Sequence, residues 1–193
     1  MAVPLTGPET KQLIREFSAY IQQQRDSFFP ESLALSPRHK EPLEGFFSSS
    51  LLEKVRIVQL QGNRIPLPVI SLRDRISQYV ELPDIAHMNS FTFWDVLVFQ
   101  DPITERRLFH GLVHAVQLAR LGLETYLELY IRAFLKTGKY LTVPLEVQAF
   151  RMDARFSEAS ADRFKVEEEV ELWLQRGLYQ MGAPTPETYR PVR

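Results

Sequence analysis

Apolar positions along this chain alternate between helical spacing and short, nearly unbroken runs. Leu13, Phe17, Tyr20, Ile21 and Phe28 fall near a 3.6-residue period. With Pro8 suited to a first helical position and Glu9 near the positive end of the dipole, they predict a long opening helix. Residues 30–50 carry Pro30, Pro37, Pro42 and the run Ser48-Ser49-Ser50, which predicts an irregular connection with His39 in a solvated loop. Val55, Ile57 and Val58 precede the turn signal Gln61-Gly62-Asn63, and residues 65–70 are expected to return as a second strand, giving a small hairpin. Residues 91–99, aromatic and β-branched without glycine or proline, predict one continuous strand.

Three helical patterns follow. Asp101 as cap and Pro102 at the first position are expected to start a helix that ends at Gly122. Leu123, Leu127, Tyr130, Ile131 and Phe134 mark a second helix closed by Thr137-Gly138, and a third begins at Pro144 with Leu145, Ala149, Met152 and Phe156 on one face. Residues 157–160 break or bend the third pattern before a separate final helix containing Val170 and Trp173. Pro184, Pro186 and Pro191 predict a flexible tail at 184–193, behind a single domain spanning 1–183.

Composition narrows the chemistry. Of 193 residues 45% are hydrophobic, enough for a real core, and Lys plus Arg number 23 against 24 for Asp plus Glu, which removes a field for nucleic acid or anionic membranes. The start, Met1-Ala2-Val3-Pro4, leads into polar sequence, and no apolar run approaches the roughly 20 residues of a spanning helix, so a cytoplasmic protein is the expectation. Cysteine is absent, which leaves histidine and carboxylate as the only strong metal ligands.

On the predicted 101–122 helix, Phe109, Leu112, Val113 and Val116 form an apolar stripe, and His110, His114 and Gln117 form a second stripe roughly 100° away. Histidines four apart lie one turn apart on one face, where their imidazoles can converge on a metal. A structural, merely packed pair is an equal reading of the spacing alone. A catalytic zinc takes three protein ligands, and Glu146, at the start of the third helix, is the candidate for the third. Asp153 shares its face and is read two ways, as acceptor of a ligand histidine's free ring N–H or as a surface carboxylate. Gly111 costs about 1 kcal/mol relative to alanine inside a helix. Three accounts of it compete: close approach by another element or ligand, drift after loss of activity, or an artificial substitution.

The stretch Phe109-His110-Gly111-Leu112-Val113-His114-Ala115-Val116-Gln117, followed by Leu121-Gly122-Leu123, Tyr140 and Val143-Pro144-Leu145-Glu146-Val147-Gln148-Ala149-Phe150, resembles small bacterial zincins of the gluzincin type. Their helix reads His-Glu-Leu-Val-His-x-x-Gln, and their glutamate ligand follows in Pro-Leu-Glu-x-x-Ala-[Phe/Tyr]. The likeness covers about residues 87–156. It implies zinc held by His110, His114 and Glu146, between a three-helix unit and a short sheet, with a peptidase-like cleft along the strand that precedes the helix. Gly111 departs from the pattern: it stands where the family's glutamate takes a proton from the attacking water.

The fold expected is α+β, a helix-rich zincin-like domain with a small antiparallel sheet packed on the motif helix. The function expected is a zinc-binding, metallopeptidase-like protein with impaired or absent proteolysis and a peptide or protein as ligand. Two alternatives stand beside it, an active zinc hydrolase with a replacement base and a non-metal interaction domain. Glu105, Glu124 and Glu128 are nominal replacement bases, although Glu105 lies about 140° around the helix from His110. Among tyrosines, Tyr140 leads Tyr126 and Tyr130 as a site residue because it neighbours the Glu146 segment. Trp94 and the phenylalanines are expected in the core, His87 at a strand end, and the run Glu167-Glu168-Glu169 with Glu171 on a solvated helical face. Phosphate loops, dinucleotide fingerprints and nucleophile elbows have no counterpart here.

Overall fold

The structure, a computed structural model, describes residues 5–83, 85–158 and 163–180. Of the expected break at 157–160, residues 157–158 are described, and the third helix ends there at Ser157; residues 159–160, the domain end at 183 and the tail at 184–193 lie outside the described residues.

Helix α1 (Gly7–Phe28) opens on a capping box: Thr6 accepts from the backbone of Glu9, and the Glu9 carboxylate accepts from the backbone N–H of Thr6 at 2.8 Å. It buries Leu13, Ile14, Tyr20 and Ile21 against α6 and the sheet. The connection that follows is less irregular than its prolines suggest. It contains β1 (Leu33–Ala34), α2 (Pro37–Lys40) and α3 (Ser49–Lys54), with Ser36 and Ser48 as N-caps of the two helices. His39 therefore sits in a helical turn, half-buried, rather than in a solvated loop.

β2 (Arg56–Gln59) begins the central sheet, but the expected hairpin with residues 65–70 does not form. Pro66 and Pro68 lack the N–H that a ladder needs, so this stretch joins no strand and is held instead by side chains, Gln100 accepting from Ile65 N and Tyr20 donating to Pro66 O. The chain instead passes through α4 (Arg73–Ser77) and a 3-10 turn at Ile85–His87, then returns as β3 (Ser90–Phe93) and β4 (Val96–Phe99). The run expected as one strand is thus a hairpin, folded back at Trp94 and Asp95, with Trp94 in the left-handed region at φ 61°. Trp94 is 38% exposed on that turn, not in the core, and Phe29 and Phe150 are also exposed. Arg25 grips the turn through both Asp95 oxygens, at 2.8 and 2.9 Å.

Sheet order is β1-β2-β4-β3. The outer pairs are antiparallel and the central β2–β4 pair is parallel, with Ile57 opposite Leu97, so the sheet is mixed rather than purely antiparallel. β4 is buried at every position, as a strand covered on both faces requires.

Helix α5 (Glu105–Leu121) crosses this sheet. Its N-cap is Thr104, whose hydroxyl accepts from Arg107 N at 3.2 Å, and not Asp101, which pairs with Arg107 from the preceding turn. Its end at Gly122 falls as expected, at φ 74°. α6 (Leu123–Thr137) closes at Gly138, which is left-handed, and α7 (Pro144–Ser157) starts with its proline in the first turn. α8 (Val166–Gln175) is separate, and buries Val170 and Trp173. Its acidic run is only partly a solvated face, because Glu167 accepts from Ser48 N and Glu169 pairs with Arg155. Among the described residues no helix is long and apolar enough to cross a membrane.

Candidate metal centre

α5 is buried on both of its predicted stripes. Phe109, Leu112, Val113 and Val116 sink into the core between sheet, α7 and α8. The second stripe turns His110, His114 and Gln117 toward α6 and α7, where the first turn of α7 delivers Glu146. Pro144 fixes that turn, and Leu145, fully buried, anchors it.

The three expected ligands meet. His110 Nε2 lies 3.1 Å from His114 Nε2, and Glu146 Oε2 lies 3.6 and 3.5 Å from the two nitrogens. A tetrahedral ion with bonds of about 2.0–2.2 Å, such as zinc, holds neighbouring ligand atoms roughly 3.3–3.6 Å apart. The observed triangle matches the edges of that tetrahedron to within a few tenths of an ångström, and the group can hold a metal ion.

Each ring is oriented from behind. Asp153 Oδ2 accepts from His110 Nδ1 at 2.9 Å, and Asp153 Oδ1 is held in turn by Arg106 at 2.9 and 3.2 Å. Asp153 is buried, so the reading of it as a surface carboxylate does not hold. Behind His114, Gln117 gives both its N–H bonds to Leu145 O and Gln148 Oε1, which leaves its oxygen to accept from His114 Nδ1 at 2.8 Å. Both Nδ1 atoms are therefore donors, and both Nε2 atoms present lone pairs toward the same small volume. Two lone pairs 3.1 Å apart need a cation between them. Without a metal, a proton fills that role.

Electrostatics agree. Burial opposes a charge on His110, but the hydrogen bonds and negative charges of Asp153 and Glu146 outweigh it and raise its pKa to about 9. Burial likewise works against ionised Glu146, yet the adjacent imidazoles hold it well below the usual carboxylate range. Glu146 Oε1 also accepts from the Tyr130 hydroxyl at 3.0 Å. Burial, with the Glu146 charge beside them, pushes the Tyr126 and Tyr130 hydroxyls far up, so both stay protonated. The Tyr126 oxygen lies 3.2 Å from His114 Nδ1, whose N–H it can share as a second acceptor. Tyr140, the tyrosine favoured by sequence position, lines the same cavity but is 36% exposed. His87 belongs to the 3-10 turn three residues ahead of β3.

Of the residues that support the triad, Gln117 was already placed on the histidine stripe and Tyr130 was a tyrosine candidate ranked behind Tyr140, whereas Arg106 had only its spacing, four residues before His110 on the same helix, as a signal.

Gly111 has a packing reason. A Cβ built there would lie 2.7 Å from Leu97 Cδ2 and 3.2 Å from Leu97 Cγ, and the Thr92 hydroxyl, 3.4 Å from the same point, donates to Gly111 O. Helix and sheet approach too closely for a side chain at 111 unless Leu97, buried in the core, gives way. Among the described residues lining the cavity, which has a volume of about 840 Å³, the only carboxylates are Glu146 and Asp153, and both are engaged. Glu105, Glu124 and Glu128 do not line it.

Compared with family models, curated proteins and solved structures, the chain matches none. The site's own geometry carries the functional argument.

Proposed function

We propose that this chain is a zinc-binding protein of the gluzincin-like type, with His110, His114 and Glu146 as ligands, in which ordinary peptide hydrolysis is lost. The single observation behind this reading is the arrangement of lone pairs: two Nε2 atoms and one carboxylate oxygen converge, while Asp153 and Gln117 commit both Nδ1 atoms to donation. Packed histidines in a purely structural role have no need for that convergence.

A bound zinc would supply Lewis acidity to a carbonyl or water at the fourth position. The rest falls to the chain's own groups. Tyr130 donates to Glu146, Tyr126 stands protonated beside His114, Asp153 fixes the His110 ring, and the cavity keeps the site in a largely apolar surround. Among the described residues lining the cavity, none is a free carboxylate able to accept a proton from an attacking water. Loss of a positioned general base removes on the order of 10² to 10⁴ in rate, so residual hydrolysis is expected to be weak. Binding of a peptide or other carbonyl ligand is the function this favours over turnover.

The test is zinc content by mass spectrometry after metal-replete purification. Near one equivalent for the parent chain, dropping sharply in His114→Ala and Glu146→Gln, supports the reading. Equal and low zinc in all three would return the histidines to a packing role.

A further inference from the structure

The cavity that contains the triad is lined mainly by apolar side chains, with Arg73, Arg106 and Arg107 as cationic groups. Away from His110, Glu146 and Tyr130, its walls are Leu13 and Ile21 of α1, Ile131 and Leu135 of α6, and Ile76 and Ile85 of the 60–89 segment. All six belong to the hydrophobic core, so the cavity, open to solvent at its mouth, reaches into the core. At about 840 Å³ it lies within the roughly 300–1,000 Å³ range of small-molecule sites. Its exposed lining is mixed, with Leu67 and Phe150 beside Arg73, Thr104 and Arg106.

From this we infer that the ligand is amphipathic: a metal-binding, monoanionic head joined to an unbranched aliphatic tail, in the manner of a fatty acyl chain. The inference rests on the metal reading above and specifies its ligand. Two arguments select hydrocarbon over peptide for the deep part of the chamber. A peptide carries a donor and an acceptor at nearly every residue, and each costs free energy if buried unpaired. The walls contributed by α1 and α6, which form the deep part, are helix side chains whose backbone groups are already bonded within their helices, whereas non-helical backbone reaches the cavity from the edge strand β3, at Ser90 and Thr92, and from the 67–70 stretch. The head is set by charge. At the triad, a divalent ion with Glu146, Asp153 and Arg106 would leave one net positive charge, and with Arg107 paired to Asp101 and Arg73 also on the lining, the cavity favours an anionic head.

The experiment is a chain-length series of straight alkyl hydroxamates, acetohydroxamate to decanohydroxamate, titrated calorimetrically into the zinc-loaded full chain, with zinc content measured on the same sample. Affinity is expected to rise about three- to fourfold per methylene, until the chamber is full. Ile131→Trp, which fills the chamber without touching the ligands, is expected to flatten the series at a shorter chain while zinc content and acetohydroxamate binding stay unchanged. Should that variant fail to fold, the parent series decides alone. One equivalent of zinc with affinity independent of chain length, or a peptide hydroxamate preferred over every alkyl member, overturns the amphipathic ligand and leaves the metal site standing. A chain that takes up no zinc overturns both.

Discussion

Leu97 occupies the space that a side chain at Gly111 would need, its Cδ2 only 2.7 Å from the Cβ position. Of the three accounts of this glycine, close approach by another element is the one with a physical observation behind it. It also changes how a restored glutamate would behave, because the first atom of any side chain at 111 meets the buried face of β4 before it can reach the metal.

Gly111→Ala is a direct probe of that contact. Helix propensity favours alanine by about 1 kcal/mol, whereas overpacking a core costs typically about 1–3 kcal/mol. The substitution is therefore expected to lower stability in urea denaturation on the parent background. On a Leu97→Ala background the clash is gone, and the same change is expected to raise stability. For Gly111→Glu alone, destabilisation with little gain in peptide cleavage is the expected outcome.

Asp153 is expected to matter for metal affinity more than its distance from the ion suggests. Asp153→Asn keeps the shape but weakens the charge that polarises His110 and frees Arg106 from its partner. Loss of such outer contacts costs about 10- to 100-fold in metal affinity. Competition with a chelating dye measures it, and circular dichroism checks that the fold is intact.

Much of this was legible because its signals are local. Gly122, Gly138 and Pro144 end and start helices through their own backbone preferences, so the motif helix and its partner were bounded correctly at those points. Once α5 and α7 were in place, His110, His114 and Glu146 needed only to face each other. What escaped the sequence depends on distant partners or on quiet turns. The parallel pairing of β2 with β4 joins segments about 40 residues apart, and neither strand's pattern names the other. The β3–β4 turn carries Trp94 and Asp95 with no glycine, so nothing in the composition broke the apolar run. The real cap Thr104 was hidden behind the stronger-looking Asp101-Pro102 pair. Leu97 against Gly111 is a contact between two apolar positions, which no spacing rule announces.

Acid and base responses follow from His110. Its folded-state pKa, raised to about 9, exceeds the unfolded value of about 6.5. In the metal-free protein the associated stability is fully present below about pH 6.5 and is lost as pH rises through about 9. Metal binding runs the other way, since the ion must displace that proton. Apparent zinc affinity is expected to climb about tenfold per pH unit from this proton alone, and to level off above about pH 9. Thermal melts of the zinc-free chain and zinc titrations over the same pH series should show the opposite slopes.

The most direct test of the metal centre is an anomalous difference map collected across the zinc absorption edge on crystals of the metal-replete chain. The account predicts one strong peak about 2.0–2.2 Å from His110 Nε2, His114 Nε2 and a Glu146 oxygen. A chain with those three residues well ordered and no peak between them, or with its zinc bound elsewhere, would contradict it.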